Sequence, residues 1–461
     1  MNKTTTAALL LGMYTYGMNA AEKENLPNII YIMADDLGIG DLGCYGQRYI
    51  KTPAIDNLAK NGIVFTQHYA GCTVSAPSRC SLLTGKHTGH SFVRGNIGSM
   101  CSDGRQYDYP LKDEEVTVAE IVKTRGYKTA CIGKWGLGGP GSEGHPNKQG
   151  FDYFFGYLGQ GNAHRYYPEF LFENSEKIHL NKKVYSHDLI MEKALTYIKN
   201  AGNEPFLLYL TPTIPHADLI LPEGERGEYE NKFLEKPFKG GGYTAQPKPK
   251  ATFAAMVSRL DRDVKRVMDL LESKGMADNT IVIFTSDNGT HIEGGHDPYF
   301  FSSNGGFRGV KRDLYEGGVR TPFIVTWPKM IKEQRVSNHV SAFWDFLPTV
   351  CDLVDAECPS GDGISFLPTI TGKRKQKKHD YLYWEFHEGG GKQAVLADNW
   401  KLIRLNADKK VGYKLELYNL NADPTERQNV VKQYPAVKEK LMKMMDEAHV
   451  RNELYPFKYE K

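Results

Sequence analysis

The chain has 461 residues, 40% of them hydrophobic and 25% charged, with a formal net charge of +3. That length buries a large core and leaves room for a main domain and a smaller one, and the near balance of charge gives no ground for nucleic acid or an anionic membrane as partner. Seven cysteines without a Cys-x-x-Cys pair make neither a disulfide scaffold nor a zinc site, and Cys351 and Cys358, although spaced for a local bridge, read as ordinary thiols.

In chain order, Lys3, the apolar run over residues 7–18 and the small residues Ala20 and Ala21 read as a signal peptide over residues 1–21. A periplasmic or secreted protein is therefore expected. The run is too short to span a bilayer, and no later stretch is long enough to try. From Pro27 to Ala34 a continuous apolar run ends in Asp35-Asp36, as in a strand buried on both faces. A helix is expected over 54–61. Further apolar strands over 127–135, 206–210 and 280–285 deliver Lys134, the segment ending in His216, and Asp287-Asn288. Helices are expected over 186–200 and 251–274, the second closed by Gly275. Apolar strands that each present a polar group at the carboxyl end predict an α/β fold with an open, mostly parallel sheet, its site along that edge. After residue 371 the pattern becomes short alternating segments at 381–386, 401–404 and 415–418, then a closing helix over 436–448. The expected organisation is a main domain over 22–371 and a C-terminal subdomain over 372–461 with a small antiparallel sheet.

Ser75 precedes Pro77, which suits a first helical turn, so Ser75 stands where helix-start amides gather on an anion. Arg79, one turn further on the same face, is placed to return its guanidinium toward Ser75. A serine followed by proline is also an ordinary helix start. Asp35 and Asp36 repel each other unless a cation binds them. Alone the pair reads as a helix cap, but with Asp287 and Asn288 leaving a second buried strand it becomes an all-oxygen shell for a hard divalent ion. Lys134 by itself is a snorkelling lysine, and His216, one of 14 histidines, suits protonating a leaving alcohol. Gln160, His164 and Arg165, in an aromatic and polar segment over 157–172, are candidate sugar contacts. Trp384 and His387 are candidates to close the pocket, packing being the plainer reading of the aromatic ones. The basic run over 373–378 reads as a solvated loop, with attraction of an anionic polysaccharide as the lesser reading.

The string Ser75-Ala76-Pro77-Ser78-Arg79-Cys80-Ser81-Leu82-Leu83-Thr84-Gly85 resembles the signature of the type I, formylglycine-dependent sulfatases. Three more strings in family order carry the resemblance over residues 27–430: Gly133-Lys134-Trp135, Pro215-His216, and Arg308-Gly309-Val310-Lys311 with Glu316-Gly317-Gly318-Val319-Arg320-Thr321-Pro322. The resemblance implies an alkaline-phosphatase-like α/β/α sandwich that hydrolyses sulfate monoesters. It implies that an anaerobic sulfatase-maturating enzyme oxidises Ser75 to formylglycine. It implies Asp35, Asp36, Ser75, Asp287 and Asn288 as ligands of Ca²⁺ (Mg²⁺ as the alternative), Arg79, Lys134 and Lys311 as sulfate-side cations, and His216 as general acid. The chain departs from the pattern at Gly136, where the family has a histidine, so the base of the last step is unassigned. His291 is the first stand-in and His164 the second. Similarity to galactosamine-6-sulfatase-like enzymes implies a sulfated glycan substrate, with 6-sulfated galactose or N-acetylgalactosamine as the sugar. Two rivals stay open at this stage: a phosphate or phosphonate ester hydrolase of the same fold, and a non-catalytic protein that binds sulfated glycans.

Overall fold

The structure is a computed structural model that describes residues 26–101 and 103–461; the signal-peptide reading falls outside these residues. Five parallel strands form the middle of a ten-stranded sheet: β1 (Asn28–Ala34), β2 (Lys128–Lys134), β3 (Tyr153–Tyr157), β4 (Phe206–Thr211) and β5 (Thr280–Ser286). Their order across the sheet is β5-β1-β4-β2-β3. Antiparallel strands extend the edges, Phe323–Thr326 beyond β5 and Phe170–Glu173 beyond β3.

Alternate side chains of these apolar runs leave on opposite faces, so both faces are buried. Tyr31 and Met33 of β1 join a core with Ala76, Cys80 and Leu83 of α2 (Ser75–Thr84) and with Phe346 and Val350 of α5 (Phe346–Val354). Ile30 and Ile32 enter the opposite core with Ile55 and Leu58 of α1 (Pro53–Lys60), Ile190 of α3 (Ser186–Asn200) and Val257 and Val264 of α4 (Pro249–Ser273). The result is the expected α/β/α sandwich around a mostly parallel sheet.

The C-terminal region holds a four-stranded antiparallel sheet, Leu382–Phe386, Lys392–Ala397, Trp400–Leu405 and Lys414–Asn419, paired in chain order. Its second strand escaped the sequence reading because Gln393 to Ala397 are all buried, which removes the alternation that marks a half-exposed strand. One face of the sheet is covered by α6 (Pro435–Ala448) through Leu441 and Met445. The other packs Trp384, Ile403 and Tyr418 against Tyr69, Val74 and Trp344, so the sheet backs the segment that leads into α2.

A buried ion cluster joins the two parts. Lys401 Nζ lies 2.8 Å from Glu316 Oε1 and 3.0 Å from Glu426 Oε1, and the Tyr69 hydroxyl donates to Glu316 Oε2 at 2.9 Å. Burial, with Glu316 close by, pushes the Glu426 carboxyl up to about 7. Removing the shared cation leaves two buried acids face to face. We expect Lys401→Met to cost about 3–5 kcal/mol in urea denaturation, and a Lys401→Met/Glu316→Gln double variant to recover part of it. An unchanged midpoint for the single variant would show that the cluster carries no stability.

Candidate active site

The register of β1 on β5 sets Met33 beside Thr285 and Ala34 beside Ser286, so Asp35 and Asp287 leave the sheet at one level. The Asp36 N–H donates to Asp287 Oδ1 at 3.1 Å, with Asp36 in the left-handed region at φ 62°, a conformation aspartate tolerates better than most residues. On the other side, β2 ends at Lys134. Gly133 before it has φ +125°, and a Cβ there would lie 2.1 Å from the Thr211 carbonyl oxygen. Only glycine lets β2 close on β4 at this level.

Ser75 is the first residue of α2. Its Oγ donates to Asp35 Oδ1 at 3.2 Å and accepts from Lys134 Nζ at 3.1 Å, while Lys134 Nζ also meets the Asp35 oxygens at 3.0 and 2.7 Å. Arg79 departs from expectation. Its guanidinium is fully buried and donates to the Lys134 carbonyl at 2.7 Å and to Asp287 Oδ2 at 2.8 Å, not to Ser75. It ties the ends of β2 and β5 together. The second helix amide, on Ala76, is taken by Asn96 Oδ1 at 3.0 Å.

The second half of the cluster is built on Lys311, whose Nζ lies 2.8 Å from Asp36 Oδ2, 3.2 Å from Glu293 Oε2 and 3.0 Å from His216 Nε2. Burial, with Lys311 and Lys134 nearby, holds His216 well below the usual histidine range. Although burial works against it, Asp36 and Glu293 raise the Lys311 ammonium above its ordinary value. The His216 Nδ1 is taken up by the Ala217 carbonyl, which leaves Nε2 as the atom that faces Lys311 and the site. His164 stacks on His216 with ring centres 4.6 Å apart and is itself pushed down to about 4 by burial, with Lys134 and Lys311 adding to it.

The remaining expected residues divide. His291 is buried, its Nδ1 accepts the Glu293 N–H at 3.0 Å and its Nε2 faces the Pro215 carbonyl at 3.3 Å. Both nitrogens brace neighbouring loops, so His291 does not replace the histidine missing at Gly136. Trp384 is fully buried and its indole donates to the Ala70 carbonyl at 2.8 Å; it supports the loop before α2 and lines no sugar site. His387 Nε2 is bonded to Glu385 Oε1 at 2.9 Å, which turns it away from the pocket role expected of it. Arg165 is exposed. Gln160 lies next to Gly136. Sequence reasoning missed Glu293 and Tyr243, whose hydroxyl donates to Glu293 Oε2 at 2.9 Å and whose ring lies 5.8 Å from that of His164. Glu293 follows His291 by two positions, but the segment around Tyr243 has no periodicity to mark it.

The donor set fits a hard divalent cation. Ligand atoms of Asp35, Asp36 and His216 lie within 4.8 Å of one another, and Asn288 Oδ1 is buried without a hydrogen-bond partner. Asp287 and Asn288 complete an oxygen-rich group of the kind Ca²⁺ or Mg²⁺ selects. Burial, reinforced by Asp35, raises the Asp287 carboxyl, a cost that a cation offsets.

A hydroxyl at a helix start, an oxygen-rich cation site and three buried cations on the edge of a parallel sheet define a hydrolase of anionic esters. A family model described as "Sulfatase" matches residues 27–356, and one described as "N-sulphoglucosamine sulphohydrolase, C-terminal" matches residues 306–451. The chain belongs to the sulfatase family, in the alkaline phosphatase superfamily, and is a sulfuric ester hydrolase. It is 30% identical to N-acetylgalactosamine-6-O-sulfatase of Bacteroides thetaiotaomicron over 93% of this chain and 94% of that protein. It is likewise 30% identical to human N-acetylgalactosamine-6-sulfatase, over 80% of this chain and 70% of that one. Among solved structures it resembles Ps i-CgsB in complex with k-i-k-neocarrahexaose, with TM-score 0.78, 26% identity and 92% of each chain covered.

Cation binding is testable by linkage. Chelator-treated protein titrated with Ca²⁺ should gain stability, by about 2.7 kcal/mol at a hundredfold excess over Kd, seen as a rise in Tm by calorimetry. Asp36→Asn should remove most of that rise; an equal rise in the variant would exclude Asp36 from the site.

Proposed function

We propose that the chain hydrolyses sulfate monoesters on carbohydrates, with 6-sulfated N-acetylgalactosamine or galactose as the sugar, after Ser75 has been oxidised to formylglycine. The observation that carries this reading is Ser75 Oγ held between Lys134 Nζ at 3.1 Å and Asp35 Oδ1 at 3.2 Å, inside the cluster just described. The two N-acetylgalactosamine 6-sulfatases matched over most of the chain support the choice of sugar. Formylglycine supplies, when hydrated, a hydroxyl for attack on sulfur and a route for releasing sulfate that an ordinary serine ester lacks. Asp35, Asp36, Asp287, Asn288 and residue 75 are the residues to hold the cation, Ca²⁺ rather than Mg²⁺, which would acidify that hydroxyl and offset sulfuryl charge.

The chain's own groups do the rest. Lys134 and Lys311 present fixed positive charge to the sulfuryl oxygens, which stabilises charge as it develops without reorganisation. Arg79 keeps Asp287 and the end of β2 in place. His216, whose Nε2 lies 3.0 Å from Lys311 Nζ, is placed beside these charges to protonate the departing sugar oxygen. A serine at position 75 calls for an anaerobic maturating enzyme, and the expected export places the protein in the periplasm or outside the cell.

A sulfate-release screen over 3-, 4- and 6-sulfated galactose, N-acetylgalactosamine and N-acetylglucosamine tests the reading. The 6-sulfated galactose or N-acetylgalactosamine should react fastest in protein co-expressed with the maturating enzyme. Its residue-75 peptide should be lighter than the serine form by the mass of H₂. Ser75→Ala should lower turnover by about a thousandfold or more. Full turnover in that variant, or plain serine in active protein, would overturn the assignment.

A further inference from the structure

The space beside Lys134 that Gly136 leaves open is filled from two distant parts of the chain. A Cβ built on Gly136 would lie 2.4 Å from Gln160 Nε2 and 3.9 Å from Asp108 Oδ2. The Gln160 carboxamide thus stands where a side chain at 136 would begin, and its Nε2 is buried with no hydrogen-bond partner. Asp108 ends the short strand Gln106–Asp108 and is 5% exposed. Its Oδ2 accepts the Gln160 backbone N–H at 2.9 Å. The charged and titratable groups that face it are Lys134, Arg79 and Tyr455, and Lys134 is the residue that also meets Ser75 Oγ at 3.1 Å. A buried carboxyl therefore sits beside position 136, two residues from the lysine that meets Ser75 Oγ and outside the group of acids that fits the cation.

We propose that Asp108 is the proton acceptor of the sulfate-release step and that Gln160 closes the slot at Gly136 to hold it there. This rests on the sulfate-ester chemistry at residue 75 set out above. Release requires an O–H bond on the residue-75 side chain to break. Its electron pair re-forms the carbonyl, the C–O pair leaves with sulfate, and the proton passes to the Asp108 carboxylate, which returns it to water before the next turnover. Burial pushes the Asp108 carboxyl up to about 7 even though Lys134 and Arg79 pull the other way. A carboxyl that titrates near neutrality suits proton exchange far better than one ionised throughout. The bland reading is that Asp108 only caps the short helix Gln160–Ala163 by accepting the Gln160 N–H. Asparagine keeps that acceptor oxygen and loses the proton chemistry, so Asp108→Asn separates the two readings.

The first arm uses the chain with Ser75 unmodified and inorganic sulfate as the probe, by titration calorimetry. Below its raised pKa Asp108 is neutral; above it a carboxylate faces the bound dianion. Affinity should fall by about tenfold or more between about pH 5.5 and about pH 8.5 in the wild type, and stay flat in Asp108→Asn. The second arm uses matured protein with its aldehyde content verified by mass. Asp108→Asn should lower kcat at least about a hundredfold with little change in KM and lose the acid limb of the kcat profile, while Asp108→Glu regains part of both. Wild-type kcat and profile in Asp108→Asn would overturn the proposal. So would a sulfate affinity that ignores pH in the wild type, or follows pH equally in the variant. Absence of sulfate release by matured wild type would instead overturn the function itself, and the calorimetric arm does not depend on it.

Discussion

Burying charge without water is the constraint on which this structure depends. Asp35, Asp36 and Asp287 face Arg79, Lys134 and Lys311 at the carboxyl edge of the sheet, and all six are buried. Isolated, each would cost several kcal/mol of lost hydration. Together they set three acidic side chains against three basic ones, most of whose oxygens and nitrogens find a partner within hydrogen-bonding distance. That demand accounts for several local features. Gly133 lets β2 approach β4, Asp36 turns left-handed to reach Asp287, and Arg79 spends its donors on the Lys134 carbonyl and Asp287. Rigid charge of this kind is also what a sulfuryl transfer needs, because it is oriented before the substrate arrives.

The C-terminal sheet belongs to the same device. Among the described residues no hydrogen bond or ion pair joins it to the six charges, yet its Trp384 and Tyr418 share a core with the segment before α2, and its Lys401 binds Glu316. Glu316 also pairs with Arg320 at 3.1 Å, whose Nε donates to the Thr66 carbonyl at 2.7 Å. The Glu-Gly-Gly-x-Arg string is thereby a clasp between the two sheets, and the loop it closes carries Lys311. Its backbone N–H donates to the Thr290 carbonyl at 2.7 Å, next to the loop that carries Glu293.

Burial works against charge on the histidines at the site. It lowers His164, His216 and His291 alike, and Lys311 adds to the effect on each. The proton released at residue 75 passes, in our proposal, to Asp108, whose carboxyl is moved the other way by burial. An acid and a base whose environments push them apart can hold different protonation states at one pH.

The residues legible from sequence alone were those whose position follows from local pattern. A buried strand shows as an apolar run, and whatever polar residue ends it lands on one edge of a parallel sheet. Asp35, Asp36, Lys134, His216 and Asp287 were found in that way, and Ser75 and Lys311 through strings long enough to be specific. The sandwich followed from the same runs, and α3 falls on the residues expected for it. What local pattern could not contain was direction and partnership across the chain. Arg79 turns to a strand end 208 residues away. His291 and Trp384 have the chemistry for a site and are spent on backbone groups, and Asp108, Gln160 and Gly136 meet only because β2, β3 and the short strand before Tyr109 converge. Sequence spacing determines which face and which end of an element a side chain occupies; only the packed register of distant elements decides what it finds there.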